Sequence, residues 1–439
     1  MELFRTFKYP ANIFWEVTPM CNHNCVHCFN YWRTDSEETS EINLSSNAVD
    51  YLLLTHKIME LNPVRVVITG GEPFLVWDKI FPCIQLMRSK GLEVSINTNV
   101  TLITDEIARY LAKENISLFV SFPCHDNSIC DCITDVEGSH HNILNGLDIL
   151  TRNHVNFTCN MVISNKNIDY TEETVLFLKE RYQIKRMTFS RVGKPINAAD
   201  SFDSWLLDRK GIRKLIELSV AISKKHHVSI NASSPYPSCA LDSQEEYDIF
   251  GGQRLCSAGK SSCVIASDGS VKACPRDSKI YGNLLEIQFK EIWEGMAEWR
   301  NEEFYPKECR ECNFFSSCLG GCRADQLANT EHCSGLDSAV RLEQLPLAFE
   351  KNKIVTSILK MDDKFTVPDG IRWDQDYDGY RMSLLGKHTY IKESAYLFFI
   401  NTPQFTLKEF AKHFTYDYET AAKIVQYLLT SNLLNIQKH

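Results

Sequence analysis

Residues 12–28 read "NIFWEVTPMCNHNCVHC": a short apolar run, a Thr-Pro break, then three cysteines and two histidines within eight positions. The run reads as a β-strand, which places the ligand-rich octapeptide on the loop at its C-terminal end. Cys21, Cys25 and Cys28 follow the spacing C-x3-C-x2-C. Three thiolates suit a [4Fe–4S] cluster with one iron left open for a reactant. The same spacing also allows zinc, with His23 or His27 as fourth ligand.

Working outward from this stretch, short β-rich runs alternate with longer amphipathic ones. "VRVVITG", "EVSINTNV", "SLFVSF", "NFTCNMVIS" and "RMTFSRV" read as further strands; "NAVDYLLLTHKIMEL", "IFPCIQLMRSKG", "DEIARYLAKE", "HNILNGLDILTRN" and "TEETVLFLKERY" read as helices. Six βα repeats predict an α/β fold, a full or partial (β/α)6 barrel over residues 1–235. In such a fold the chemistry sits at the C-terminal strand ends, where the first cysteines fall. Residues 236–340 are cysteine-rich with little predicted regular structure, a segment held together by inorganic ligation. Residues 341–439 lack cysteine and form a third segment. There "LKEFAKHF" and "YETAAKIVQYLLTSNLL" read as two helices after a β-like "HTYIKESAYLFFI", the pattern of a small winged-helix-like domain.

Composition narrows the function. No apolar run is long enough to span a membrane, and the N-terminus lacks the basic-then-apolar order of a secretory signal, so a cytoplasmic protein with no membrane partner is expected. Seventeen cysteines in a reducing compartment point to metal or cluster ligation over disulfides. A net charge of −9 argues against a nucleic-acid partner.

The second strand ends in "VVITGGEPF", where Gly70 and Gly71 permit close backbone approach to a ligand facing the cysteine loop. Together, C-x3-C-x2-C after the first strand and GGEP after the second closely resemble the radical S-adenosylmethionine (SAM) superfamily. The resemblance implies a cluster on Cys21, Cys25 and Cys28 whose open iron binds SAM and reductively cleaves it to a 5′-deoxyadenosyl radical. It also implies that Gly70, Gly71 and Glu72 hold the methionine amino group, that Phe29 lies near the adenine, and that Asn97, Asn99 and Ser121 contact the ribose or the methionine carboxylate. His23 and His27 become spacers. "LFVSFPCHD" resembles a segment of relatives around Ser121, but the DG pair of those relatives is missing and "NSICDCITDVEG" carries no arginine.

Further on, Cys256, Gly269 and Cys274 run C-x12-G-x4-C, and Cys309, Cys312, Cys318 and Cys322 run C-x2-C-x5-C-x3-C before Cys333. The order resembles the SPASM extension of radical SAM enzymes, which binds two auxiliary [4Fe–4S] clusters and brings the implied total to three. The resemblance gives one cluster to Cys256, Cys274 and Cys322, with Cys263 as a fourth ligand or an open site in its place. It gives the other to Cys309, Cys312, Cys318 and Cys333. Cys124, Cys130 and Cys132 read as unligated thiols, Cys83 and Cys159 as core residues.

SPASM enzymes mostly modify peptides or proteins, and residues 382–436 loosely resemble a winged-helix peptide-recognition domain that captures a leader peptide at a sheet edge. A DNA reader would concentrate Lys and Arg on its second helix, whereas "YETAAKIVQYLLTSN" has one lysine against one glutamate. The expected function is maturation of a ribosomally synthesised precursor peptide by hydrogen abstraction and cross-linking, as carbon–carbon, ether or thioether, with a reduced flavodoxin or ferredoxin-like electron donor. Cyclophane- and darobactin-forming maturases are the nearest in layout. The alternatives are a sulfatase-type formylglycine maturase and, from another class, a zinc-stabilised DNA-binding regulator.

Overall fold

The computed structural model describes residues 7–29, 50–194, 200–251, 255–328, 335–343, 359–377, 379–384 and 387–437. The chain divides into two compact units, Met1–Phe349 and Glu350–His439. Cys333 lies outside the described residues.

The first unit is built on one ten-stranded sheet. Its strands β1 (Asn12–Glu16), β2 (Arg65–Thr69), β3 (Glu93–Thr98), β4 (Ser117–Ser121), β5 (Phe157–Ile163), β6 (Arg186–Arg191) and β7 (Ser229–Ala232) pair in sequence order, all parallel. Helices α1 (Tyr51–Glu60), α2 (Trp77–Ser89), α3 (Asp105–Lys113), α4 (Asn127–Thr134), α5 (Ser139–Arg152), α6 (Thr171–Tyr182) and α7 (Arg209–His226) make the crossovers. The six predicted strands fall within a residue or two of the observed ones. The partial barrel is longer than the sequence pattern suggested, because α7 and β7 add a seventh repeat; α4 was likewise not anticipated.

Strand pleating gives the sheet its two functions. Trp15, Ile68, Ile96, Val120, Met161 and Phe189 are buried in the helix-covered core. On the intervening positions, Phe14, Asn97, Phe119, Ser121, Asn160 and Ser190 turn to the other face and line a cavity. Helix starts are fixed by side-chain caps: Asp50, Thr104, Asp126 and Asp208 each accept a hydrogen bond from a backbone N–H of the first turn of α1, α3, α4 and α7.

The cysteine-rich segment is more regular than its composition predicts. Strands β8 (Ser262–Ala266), β9 (Ser270–Lys272) and β10 (Gly282–Asn283) extend the same sheet, and β8 pairs in parallel with β1 on the side opposite β2. A buried ion pair, Lys272 Nζ to Glu16 Oε2 at 2.8 Å, reinforces the junction.

The second unit carries two small antiparallel sheets. β11 (Lys364–Thr366) lies between β15 (Gln404–Thr406) and β16 (Asn435–Gln437); β13 (Gly379–Leu384) lies between β12 (Arg372–Gln375) and β14 (Lys387–Lys392). Helices α8 (Glu393–Asn401), α9 (Leu407–Phe414) and α10 (Tyr418–Thr430) pack over an aromatic core. The β-like reading of residues 388–400 is corrected in its second half: the chain turns helical at Glu393. Phe398 there meets Phe405 and Phe410 edge-on at 5.2 and 5.5 Å, contacts each worth about 0.5–1.5 kcal/mol that outweigh the strand propensity of the run. Among the described residues no helix is long and apolar enough to cross a membrane.

Removing one partner of the Glu16–Lys272 pair leaves a buried charge, whereas removing both does not. Lys272→Met alone is expected to cost about 3–5 kcal/mol, and the Glu16→Gln/Lys272→Met double variant less than half of that. A double variant that melts no higher than Lys272→Met in thermal unfolding would contradict the pairing.

Candidate active site and metal centres

The cysteine loop after β1 is fixed by backbone hydrogen bonds on two sides. On one side the N–H groups of Asn24 and Val26 donate at 3.0 Å to the carbonyls of Thr134 and Ile133 at the C-terminal end of α4, groups a helix leaves without internal partners. The "NSICDCITDVEG" segment is thus a brace for the loop. On the other side, Gly71 N donates to Thr18 O at 2.6 Å and Glu72 N to Met20 O at 2.8 Å, tying the turn after β2 to the residues just before Cys21.

Gly70 makes this approach sterically feasible. Its φ is +126°, and a Cβ there would lie 2.5 Å from the carbonyl oxygen of Thr18. Glu72 is fully buried, and its carboxylate accepts from Phe74 N at 3.1 Å, Thr98 Oγ1 at 2.8 Å and Asn99 N at 2.8 Å. Its side chain therefore braces the turn against the end of β3. Asn99 in turn donates through Nδ2 to Asn22 Oδ1 at 2.8 Å and, more distantly, to Cys21 Sγ at 3.8 Å. Burial lowers the pKa of His23, with Asp131 opposing the shift, which favours a neutral ring beside the cysteines.

All of the loop's cysteines open into one cavity of about 640 Å³. Phe29, Gly70, Gly71, Glu72, Asn97, Asn99 and Ser121 line it with them. Cys256, Cys274 and Cys322 line the same cavity. Burial, followed by repulsion from Cys322 and Cys256, pushes the Cys274 thiol well up. For Cys322, burial is offset in part by Arg276, leaving the thiol at about 11; Arg276 Nη1 approaches its sulfur at 3.5 Å. Crowded, desolvated thiols of this kind ionise when a bound cation supplies the missing positive charge. Cys263 is placed elsewhere: it is fully buried in β8, does not line the cavity, and only burial raises its thiol.

Cys309, Cys312 and Cys318 form a separate group near Tyr305, Phe315 and Leu319. Gly320, with φ +68°, lies so close that a Cβ would come within 2.7 Å of Cys309 Sγ. Cys239 joins this group, a position that sequence reasoning passed over because no second cysteine lies at ligand spacing beside it.

Other features the sequence did not flag are polar side chains of the late strands. Ser190 Oγ donates to Asn160 Oδ1 at 2.6 Å, and Arg191 joins them in lining the cavity. Arg191 is fixed by Asp337 at 2.6 Å and Asp325 at 3.5 Å, and its guanidinium lies over the ring of Tyr236 at 4.9 Å. Burial opposes ionisation of Asp325, but Arg191 and Arg276 outweigh it and hold its carboxyl well below the usual range. Asking which residues end each parallel strand would have found Ser190, whereas Asn160 lies in the middle of β5. Asp126 caps α4, Asp131 accepts from Gly138 N, Ser139 Oγ and His140 N, and Asp135 accepts from Asn24, so these carboxylates serve the scaffold. Cys83, Cys124, Cys130 and Cys159 are buried in the core, and Cys132 is exposed.

Three thiols beside a glycine turn at the parallel-strand ends, and two further cysteine groups, are donor sets that fit iron–sulfur clusters. Among the described residues no three His, Cys, Asp or Glu side chains converge closely enough to hold a single metal ion. Residues 15–178 match the radical SAM superfamily, and residues 256–313 match SPASM, an iron–sulfur cluster-binding domain. An AdoMet-dependent heme synthase of Methanosarcina barkeri is 25% identical over 336 residues, covering 73% of this chain and 93% of that one. Mycofactocin maturase MftC of Mycolicibacterium smegmatis is 26% identical over 330 residues, covering 73% and 80%. Streptococcus suis SuiB bound to precursor peptide SuiA shares the fold with a TM-score of 0.56 at 16% identity, over 75% of each chain. These matches leave the zinc-stabilised regulator without support: the chain is an enzyme of the radical SAM superfamily that carries a SPASM iron–sulfur domain.

Proposed function

We propose that this enzyme matures a ribosomally made precursor peptide, removing hydrogen from a side-chain or backbone carbon and leaving a carbon–carbon, ether or thioether cross-link. The observation that carries this reading is the shared cavity, lined by Cys21, Cys25 and Cys28 and also by Cys256, Cys274 and Cys322. A substrate held in this cavity can lose a hydrogen atom to the SAM-derived radical, an electron to an auxiliary cluster and a proton to solvent, together the two-hydrogen oxidation that a cross-link requires. Bound here, the SAM-binding cluster would supply a 5′-deoxyadenosyl radical from SAM, and an auxiliary cluster would accept the remaining electron.

The protein's own contribution is positioning. Gly70 and Gly71 expose backbone to the methionine amino group, with Glu72 holding the turn rigid. Phe29 sits beside the adenine, and Asn97, Asn99 and Ser121 serve the ribose and the methionine carboxylate. Asn160 and Ser190 offer polar groups that compensate for the arginine missing from residues 127–138. The named relatives support a peptide substrate: MftC is a maturase, and SuiB was solved with its precursor peptide. In the second unit, β14 pairs on one side only among the described residues, which suits strand addition by a leader peptide. A reduced flavodoxin or ferredoxin-like protein is the proposed electron donor, and the cytoplasm the proposed location.

A second reading, action on a tetrapyrrole, is favoured by the heme synthase relatives. Incubation with SAM, reductant and either a candidate precursor peptide or a tetrapyrrole precursor separates the two. Loss of two hydrogens from the peptide without added groups supports cross-linking. An unchanged peptide, together with formation of heme from a tetrapyrrole precursor, would replace the proposal.

Three clusters predict about twelve irons per chain in anaerobically prepared protein and about eight in a Cys21/Cys25/Cys28 triple alanine variant. Zinc near two per chain with little iron would overturn the cluster assignment. Gly70→Ala forces a side chain into a left-handed backbone against Thr18, strain worth about 1–3 kcal/mol. It should keep the iron content yet slow SAM cleavage by at least about tenfold; unchanged cleavage would remove Gly70 from the site. Deleting residues 350–439 should leave reductive SAM cleavage within about twofold and reduce turnover of full-length precursor by more than about tenfold, provided the leader docks there.

A further inference from the structure

Cys239 belongs to a single 3-10 turn, Ser238–Ala240, seventy positions before Cys309 in the chain. Folding removes that distance. Cys239 packs against the patch formed by Tyr305, Cys309, Phe315 and Leu319, and it lies near enough to Cys309 and Cys318 for their charges to repel. Its neighbour Ser238 lies beside Cys318 and favours the thiolate form of that sulfur.

The surroundings of the sulfurs are those of ligands. Arg341 N donates to Cys239 Sγ at 3.4 Å, Phe314 N to Cys312 Sγ at 3.5 Å, and Gly320 N to Cys318 Sγ at 3.3 Å. Backbone N–H donors of this kind stabilise thiolate charge and tune cluster potentials. Arg341 is itself fixed, with Nε donating to the Cys239 carbonyl at 3.0 Å and Nη2 to Asp242 at 2.6 Å. A cysteine used only as core filler looks different: Cys159 is fully buried on β5, and burial is the sole influence on its thiol.

We propose that Cys239 is a thiolate ligand of the second auxiliary cluster, joining Cys309, Cys312 and Cys318. The assignment rests on the reading that those three cysteines hold a cluster. With Cys239 in the fourth place, which the sequence resemblance gave to Cys333, the centre is a closed four-thiolate one, fit to pass electrons and not to bind substrate.

The test compares anaerobically prepared wild type, Cys239→Ala, Cys333→Ala and Cys309→Ala by iron and sulfide content and by electron paramagnetic resonance of the reduced clusters. Cys239→Ala is expected to lose about four of about twelve irons and one cluster signal, keeping the other two signals, whereas Cys333→Ala keeps all three. If Cys239→Ala keeps its full iron content and spectrum while Cys309→Ala loses a cluster, the proposal falls and the reading beneath it stands. If Cys309→Ala also changes nothing, the reading itself fails. Should the alanine variant not fold, Cys239→Sec (selenocysteine) with X-ray absorption at the selenium edge decides the matter. Iron at bonding distance from selenium supports ligation; a selenium with no iron neighbour rules it out.

Discussion

Two backbone hydrogen bonds, Gly71 N to Thr18 O and Glu72 N to Met20 O, set the geometry on which the site depends. They hold the turn after β2 against the approach to the cysteine loop, and they exist only because Gly70 has no side chain to strike Thr18. The loop's other flank is tied to the end of α4. Three cysteines on an irregular segment are thereby anchored to two adjacent parallel strands and one helix. A metal site gains from such rigidity, because ligands already in place lose little freedom on binding.

Much of this was readable from the chain, for identifiable reasons. Parallel strands buried in a barrel carry near-continuous apolar runs, so β1 to β6 stand out from the helices between them. Cysteine spacing within a loop is local and survives in the sequence. Cys239 and Arg191 were not legible because their roles arise from contacts with residues near 309–341 and 325–337, which no local pattern records. β8 was hidden differently: "SCVIA" is short, and its partner β1 lies far back in the chain. In the second unit, the run ending in Phe398 and Phe399 has strand composition, and tertiary packing of its aromatics selected helix instead.

The barrel and the cysteine-rich segment are joined by charge as well as by the sheet. Arg191, at the end of β6, pairs with Asp337 and Asp325; Asp337 accepts from Cys322 N at 2.7 Å, and Asp325 accepts from Arg276, which reaches the Cys322 sulfur. Every member is buried or nearly so. A network of this kind is rigid when fully partnered, and it couples the position of Cys322 to Arg191 in the lining of the cavity.

The parallel pairing of β1 with β8 also governs the order of events during synthesis. Asn12 meets Ser262, so the strand that carries the first cysteine loop acquires its second neighbour only after 250 further residues have left the ribosome. At about 5–20 residues per second that is a wait of roughly ten to fifty seconds. During it, Cys21, Cys25 and Cys28 are presented on an incomplete sheet with one open edge. Contacts of such long sequence separation are slow to form and leave nascent chains prone to misassociation. Cluster delivery and strand closure therefore compete in time, and a chain starved of iron would linger with exposed thiols beside an unpaired strand edge.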